Sequence, residues 1–184
     1  MLVTNDTDFE DRLRLFAGHG MRPRYHHQVI GINSRLATIQ AATLNVKMKH
    51  LASANIARQQ NAQLYTELFD DAGLADNIVL PQSLYGTGHV WNQYTVRVKN
   101  GQRDSLKEFL AERNIGAEIY YPIPVHAQEC YQTCPKIIMD LTETNRAADE
   151  VLSLPIFPEL EDAEIEAVVA GVTKFYTMPQ SQAA

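Results

Sequence analysis

The stretch 31-GINSRLATIQAATL-44 decides how the chain is read. A glycine, an asparagine and an arginine stand directly before an apolar, helix-forming run. From about Ser34 to Ala72 the sequence reads as one long helix, or as two nearly continuous ones. Leu36, Ile39, Thr43, Val46 and Leu51 form an apolar stripe, Ala, Gln and Leu supply propensity, and neither Pro nor Gly interrupts. Gly73 is the natural stop. At 1.5 Å per residue such a helix is roughly 55 Å long. A domain of this size is about 30 to 40 Å across. A helix that overshoots its domain leads from one body to another. The polar triplet at its mouth has two readings that are compatible. Asn33 or Ser34 caps the helix, or Asn33 and Arg35 form an anion site at its N-terminus.

Around this helix the chain divides into segments of different pattern. Residues 6–17 read as a short helix with an acidic first turn, ended by Gly18 and Gly20. The following 19-HGMRPRYHHQVIGIN-33 is a loop rich in hydrogen-bonding side chains, a composition that often carries function. Beyond Gly73 the order is strand, strand, helix, strand, helix, strand, helix. The strands are 77-NIVLP-81, 89-HVWNQYTVRVKN-100, 117-AEIYYPIPVH-126 and 153-SLPIFP-158. The helices are 103-RDSLKEFLAERNIG-116 with Asp104 or Ser105 as N-cap, 140-DLTETNRAADEVL-152 and 161-EDAEIEAVVAGVTKFY-176. The fold class is α/β: a long linking helix plus a small α/β sandwich. Residues 177–184 read as a frayed tail.

Composition bounds the function. Of the 184 residues 45% are hydrophobic and 21% charged, ordinary for a globular protein. The net charge of -6 repels phosphate backbones, so no nucleic-acid partner is expected, even through the 22-RPRYHH-27 loop. No apolar run approaches the roughly 18 residues that span a bilayer. The acidic N-terminus lacks the basic and apolar regions of a signal peptide, so the expected location is cytoplasmic. Cys130 and Cys134 lack zinc-knuckle spacing and read as reduced thiols. No metal site is expected. Walker, dinucleotide, nucleophile-elbow and EF-hand motifs are all missing from the sequence.

Three groups of residues remain as candidates. Asn33 and Arg35 are the first. Tyr25 and His26, in the polar loop, are the second: His26 and His27 point opposite ways on an extended chain, which leaves a polar surface loop or a pocket lined by Tyr25 and one His. The third is Tyr120, Tyr121 and His126, where Pro122 and Pro124 force the chain out of its sheet. Rigid loops that display aromatic and imidazole groups suit sugar or nucleotide contacts.

In order along residues 2–176, the segments RLRLFAGHGM, YHHQVIGINSRLATIQAATL, HVWNQYTVRV, IYYPIPVHAQECY and VLSLPIFPEL resemble the C-terminal half of the DegT/DnrJ/EryC1/StrS sugar aminotransferases. The resemblance implies the C-terminal small domain of a fold-type I enzyme dependent on pyridoxal 5'-phosphate (PLP). Such enzymes transfer an amino group from glutamate to a keto group of a nucleotide-linked sugar, in polysaccharide or glycan biosynthesis. The segment GAEIYYPIPVHAQEC is most similar to members acting on UDP-linked 3-keto sugars. The family acts as homodimers whose active sites are shared between subunits. It implies that Asn33 binds the cofactor phosphate of the neighbouring subunit and that Arg35, Tyr120 and Tyr121 contact substrate, with Tyr25, His26 and His126 as further substrate candidates.

The implied parts are an edge of the large domain with its active-site loop (1–33), the linking helix (34–73), the small domain (74–176) and the tail (177–184). None of the six lysines, Lys47, Lys49, Lys99, Lys107, Lys136 and Lys174, stands in the family's Schiff-base context. The chain therefore reads as a fragment, with no catalytic residue of its own and inactive alone. The alternative is a non-catalytic dimerisation or regulatory module derived from that family.

Overall fold

The structure, a computed structural model, describes residues 2–34, 36–84, 88–129 and 139–178. The chain forms two compact units, Met1–His50 and Leu51–Ala184. Arg35, the two cysteines, Lys136 and most of the expected tail lie outside the described residues.

The first unit contains helices α1 (Thr7–Ala17) and α2 (Thr38–Met48). Asp6 caps α1, its carboxylate accepting from the Phe9 N–H at 2.9 Å. Between the helices the chain doubles back on itself. The His19 N–H donates to the Ile32 carbonyl at 3.0 Å, the Ile32 N–H to Phe16 at 2.9 Å and the Ser34 N–H to Ala17 at 3.0 Å. Only glycine fits two places in this hairpin. Gly20 has φ +68°, and a Cβ there would meet the Val29 carbonyl oxygen at 1.9 Å. A Cβ on Gly31 would stand 2.3 Å from the Gly20 nitrogen.

The hairpin overturns the capping reading. Helix α2 starts at Thr38 behind Ala37, which makes no side-chain cap. Asn33 and Ser34 belong to the hairpin and to an isolated bridge, Gly18↔Asn33. No residue of α2 is buried, and Ile39 is 83% exposed.

The second unit begins with helix α3 (Leu51–Asp71). The expected long helical run is thus divided at Lys49 and His50, whose N–H groups reach back only three residues, to the Val46 and Lys47 carbonyls. Strand β1 (Ile78–Val79), β2 (Tyr94–Val98), helix α4 (Arg103–Ala111), helix α5 (Thr142–Glu150), β3 (Val151–Leu154) and helix α6 (Asp162–Thr177) follow. The three strands form one antiparallel sheet in the order β1-β2-β3, with Tyr94 opposite Leu154 and Val96 opposite Leu152. Alternation along β2 puts Tyr94, Val96 and Val98 in the core. Against them pack Tyr65 and Phe69 of α3, Leu106 and Leu110 of α4, and Ile165, Val168 and Val172 of α6. The Tyr65 and Tyr94 rings stack at 4.8 Å.

Three local expectations change. Helix α4 is preceded by Gln102 rather than capped by Asp104 or Ser105. The helix over 140–152 ends at Glu150, because Val151 and Leu152 gain ladder partners in β2. Residues 117–126 form no named strand: one bridge, Glu118↔Ser153, precedes the prolines and a 3-10 turn at Val125–Ala127.

Candidate functional site

The site residues fall in both units. In the first, the hairpin after α1 holds Asn33 in an exposed position, fixed through the Gly18 bridge. Arg22 ties the same hairpin to α1, its guanidinium donating to both carboxylate oxygens of Asp11 at 2.6 and 2.9 Å. Arg22 holds the Asp11 carboxyl below its ordinary range. Tyr25 is 73% exposed with its backbone at φ +69°, and the Arg24 guanidinium lies 4.8 Å above its ring. His26 is exposed.

An open cavity of about 460 Å³ in this unit is lined by His19, His27, Gln28, Val29, Ile30 and Gly31. Tyr25, His26 and Asn33 stand outside its wall. Sequence reasoning missed His19 and left open which of His26 and His27 would line a pocket; the wall holds His19 and His27. The latter's Nδ1 lies 2.8 Å from the His19 carbonyl, a contact made only by the hairpin's closure.

In the second unit Tyr120 and Tyr121 follow the Glu118 bridge. Their rings meet edge to face at 6.2 Å, across a cis peptide bond. Tyr120 lines a cavity of about 550 Å³ with Asn92, Gln93, Glu118 and Ser153. Tyr121 is 78% exposed and, like His126, lies outside that wall. Glu118 accepts from Lys107 at 2.7 Å and from the Ile119 N–H at 2.9 Å, which together hold its carboxyl below the usual range. Ser153 is buried, its hydroxyl 2.8 Å from that of Thr95. The cavity thus offers two amides, a phenol and the Ser153 hydroxyl, and the one acid among its described lining residues is ion-paired with Lys107. That chemistry suits a polyhydroxyl ligand. Among the described residues no three His, Cys, Asp or Glu side chains are grouped to hold a metal, and no helix is long and apolar enough to cross a membrane.

A bound PLP needs an amine beside it. Among the described residues, no lysine lines either cavity. Lys107 is held by Glu118, and Lys99 donates to the Ala75 carbonyl at 3.0 Å. These two cavities therefore do not themselves supply that amine, and no chemical step through the cofactor follows from them.

Three antiparallel strands backed by helices, in a chain that also carries a glycine-locked hairpin, are an α/β architecture found in solved aminotransferases. The structure of S. venezuelae DesV in complex with a ketimine intermediate superposes with a TM-score of 0.82 at 35% identity, covering 97% of this chain and 47% of that one. The chain belongs to the DegT/DnrJ/EryC1/StrS aminotransferase family, whose model matches residues 1–173. A pleiotropic regulatory protein of Geobacillus stearothermophilus is 40% identical over 96% of this chain and 46% of its own length. The UDP-N-acetyl-3-dehydro-alpha-D-glucosamine 3-aminotransferase of Acidithiobacillus ferrooxidans is 36% identical over 95% of this chain and 45% of its own. The chain spans about half the length of the curated relatives it matches.

Proposed function

We propose that these residues are the C-terminal, substrate-facing part of a PLP-dependent aminotransferase. It moves an amino group from glutamate to a keto group of a nucleotide-linked sugar, in polysaccharide or glycan biosynthesis. The observation that carries the reading is the family match over residues 1–173. The identity to the A. ferrooxidans enzyme supports a UDP-linked 3-keto sugar as substrate. Bound PLP supplies an electron sink for the amino transfer.

In this reading the Schiff-base lysine comes from outside these 184 residues, and the 184 residues alone are inactive. The working unit is a homodimer in the cytoplasm. Asn33 reaches the cofactor phosphate of the neighbouring subunit, and Arg35 contacts the substrate. The hairpin bonds that fix Asn33 support that role, because a phosphate ligand must be held before the anion arrives. Tyr120 and Tyr121 orient the sugar, and Tyr25, His26 and His126 are further substrate-binding candidates. The amides of Asn92 and Gln93 beside Tyr120 support this assignment.

The test is a chimera in which this chain replaces the matching half of the A. ferrooxidans enzyme. Transamination of a UDP-linked 3-keto sugar is expected, with PLP affinity lowered by Asn33→Ala. A chimera that folds and binds PLP but transaminates no nucleotide-linked sugar defeats the reading. The name of the Geobacillus relative favours a second reading, a regulatory or dimerisation module without chemistry. That reading expects the unaltered chain to be stable and monodisperse without PLP.

A further inference from the structure

A second cavity of the Leu51–Ala184 unit, about 490 Å³ in volume, lies between α3 and the segment that leads into β2. Its wall includes Trp91 and four glutamines, Gln59, Gln60, Gln63 and Gln82. It shares no residue with the cavity around Tyr120. Its volume falls within the usual range for small-molecule sites. None of its ten described lining residues is charged, in a chain where 21% of residues are. A wall without charge gives no preference to an anion or a cation. Glutamine amides present donors and acceptors together, and so do the hydroxyls of a sugar. An indole adds a flat apolar face, which matches the C–H face of a pyranose ring.

The wall is also held in place. The Gln59 Nε2 donates to the His89 carbonyl at 3.1 Å, and the Gln63 Nε2 to Glu67 at 2.8 Å. Trp91 has φ +48°, a left-handed backbone that a bulky side chain seldom adopts. Its backbone N–H donates to His89 Nδ1 at 3.0 Å, and its ring lies 4.1 Å from that imidazole and 5.7 Å from the Tyr94 ring. Strain of this kind at a cavity wall points to use.

We propose that this groove binds an uncharged hexose ring, stacked on Trp91 and hydrogen-bonded by Gln60, Gln63 and Gln82, at a site separate from the Tyr120 cavity. The inference does not depend on the aminotransferase reading, and its test involves neither PLP nor turnover. Trp91 is the chain's one tryptophan, so its emission reports on the groove alone. The full chain is titrated with N-acetylglucosamine and glucose, and separately with glucuronate and glucosamine. An open groove of this size predicts saturable changes with the two neutral sugars at about 1 mM. The charged sugars should bind at least about tenfold more weakly. The isosteric double variant Gln60→Glu, Gln82→Glu keeps side-chain shape and should weaken the neutral sugars by about tenfold or more. Emission that rises without saturating, equal binding of charged and neutral sugars, or an unchanged isotherm in the double variant each overturns the proposal.

Discussion

Substituting alanine at Gly31 should open the hairpin that carries Asn33 while leaving the second unit intact. The added Cβ would stand 2.3 Å from the Gly20 nitrogen, 2.6 Å from the His19 carbonyl carbon and 2.6 Å from the Phe16 oxygen. All three neighbours are backbone, so no side chain can rotate away. The two arms must separate, and the bonds His19 to Ile32, Ile32 to Phe16 and Ser34 to Ala17 are lost together. At about 1 kcal/mol net for each bond, the local loss is ~3 kcal/mol. That corresponds to a roughly hundredfold fall in protection of these amides. Amide hydrogen exchange, read by mass spectrometry on peptides covering residues 16–34, measures it directly, with residues 51–178 as the internal control. Gly116→Ala is the matched control, because a Cβ there meets nothing within 4 Å. If Gly31→Ala leaves the exchange of His19, Ile32 and Ser34 unchanged, the hairpin geometry argued above is wrong.

Leu152→Ala, at a fully buried strand position, should destabilise the chain by about 2–5 kcal/mol. The urea midpoint should fall with little change in slope, and a loss below about 1 kcal/mol contradicts the core assignment. Asn61→Ala removes the 2.9 Å bond from Nδ2 to the Phe157 carbonyl and strands that oxygen, a loss of about 1–2 kcal/mol in the same assay. Burial pushes the Tyr94 phenol up to about 12 and raises that of Tyr65 as well. A folded-state pKa above the unfolded value gives stability that is complete below the unfolded pKa of 10.0 and drains as pH rises toward 12. Urea midpoints should therefore be flat up to pH 10 and drop beyond it, and Tyr94→Phe should lessen the drop. A flat profile up to pH 12 would show that these phenols ionise as freely when folded as when unfolded.

Local signals predicted some elements well and others poorly. Helix α6 carries its own instructions: Glu161 and Glu164 form the capping box that opens it, and Ile165, Val168, Val169 and Val172 mark its inner face. Gly73, at φ +66°, stops α3 as expected. The start of α2 was misread because residues 34–37 have helical composition, yet tertiary hydrogen bonds hold Ser34 in the hairpin. The α5–β3 junction is invisible locally, since Val151 and Leu152 become strand only through partners near Val96. The Tyr120 cavity was half legible. The proline-locked turn drew attention to Tyr120, but Asn92, Gln93 and Ser153 arrive from distant elements with no spacing to mark them. Trp91 and its glutamines escaped for the same reason: Gln82 approaches α3 from a loop beyond β1.

The side chains of α3 hold on to the end of the chain. Asn61 bonds to the carbonyl of a residue 96 positions later, and the Tyr65 hydroxyl to one 90 positions later. Little local pairing rewards this unit early, because its sheet joins β2 to β3 across 58 residues at the Thr95–Ser153 contact. Loop-closure entropy must be met before these contacts form, which places the unit among slower-folding topologies. On the ribosome, α3 emerges with Tyr65 and Phe69 uncovered, gains Tyr94 once β2 is made, and completes its core only with α6. A ribosome stalled before Pro155 would thus release a chain whose α3 lacks its Pro155 and Phe157 anchors and the α6 side of its core, a ready substrate for chaperones and proteases.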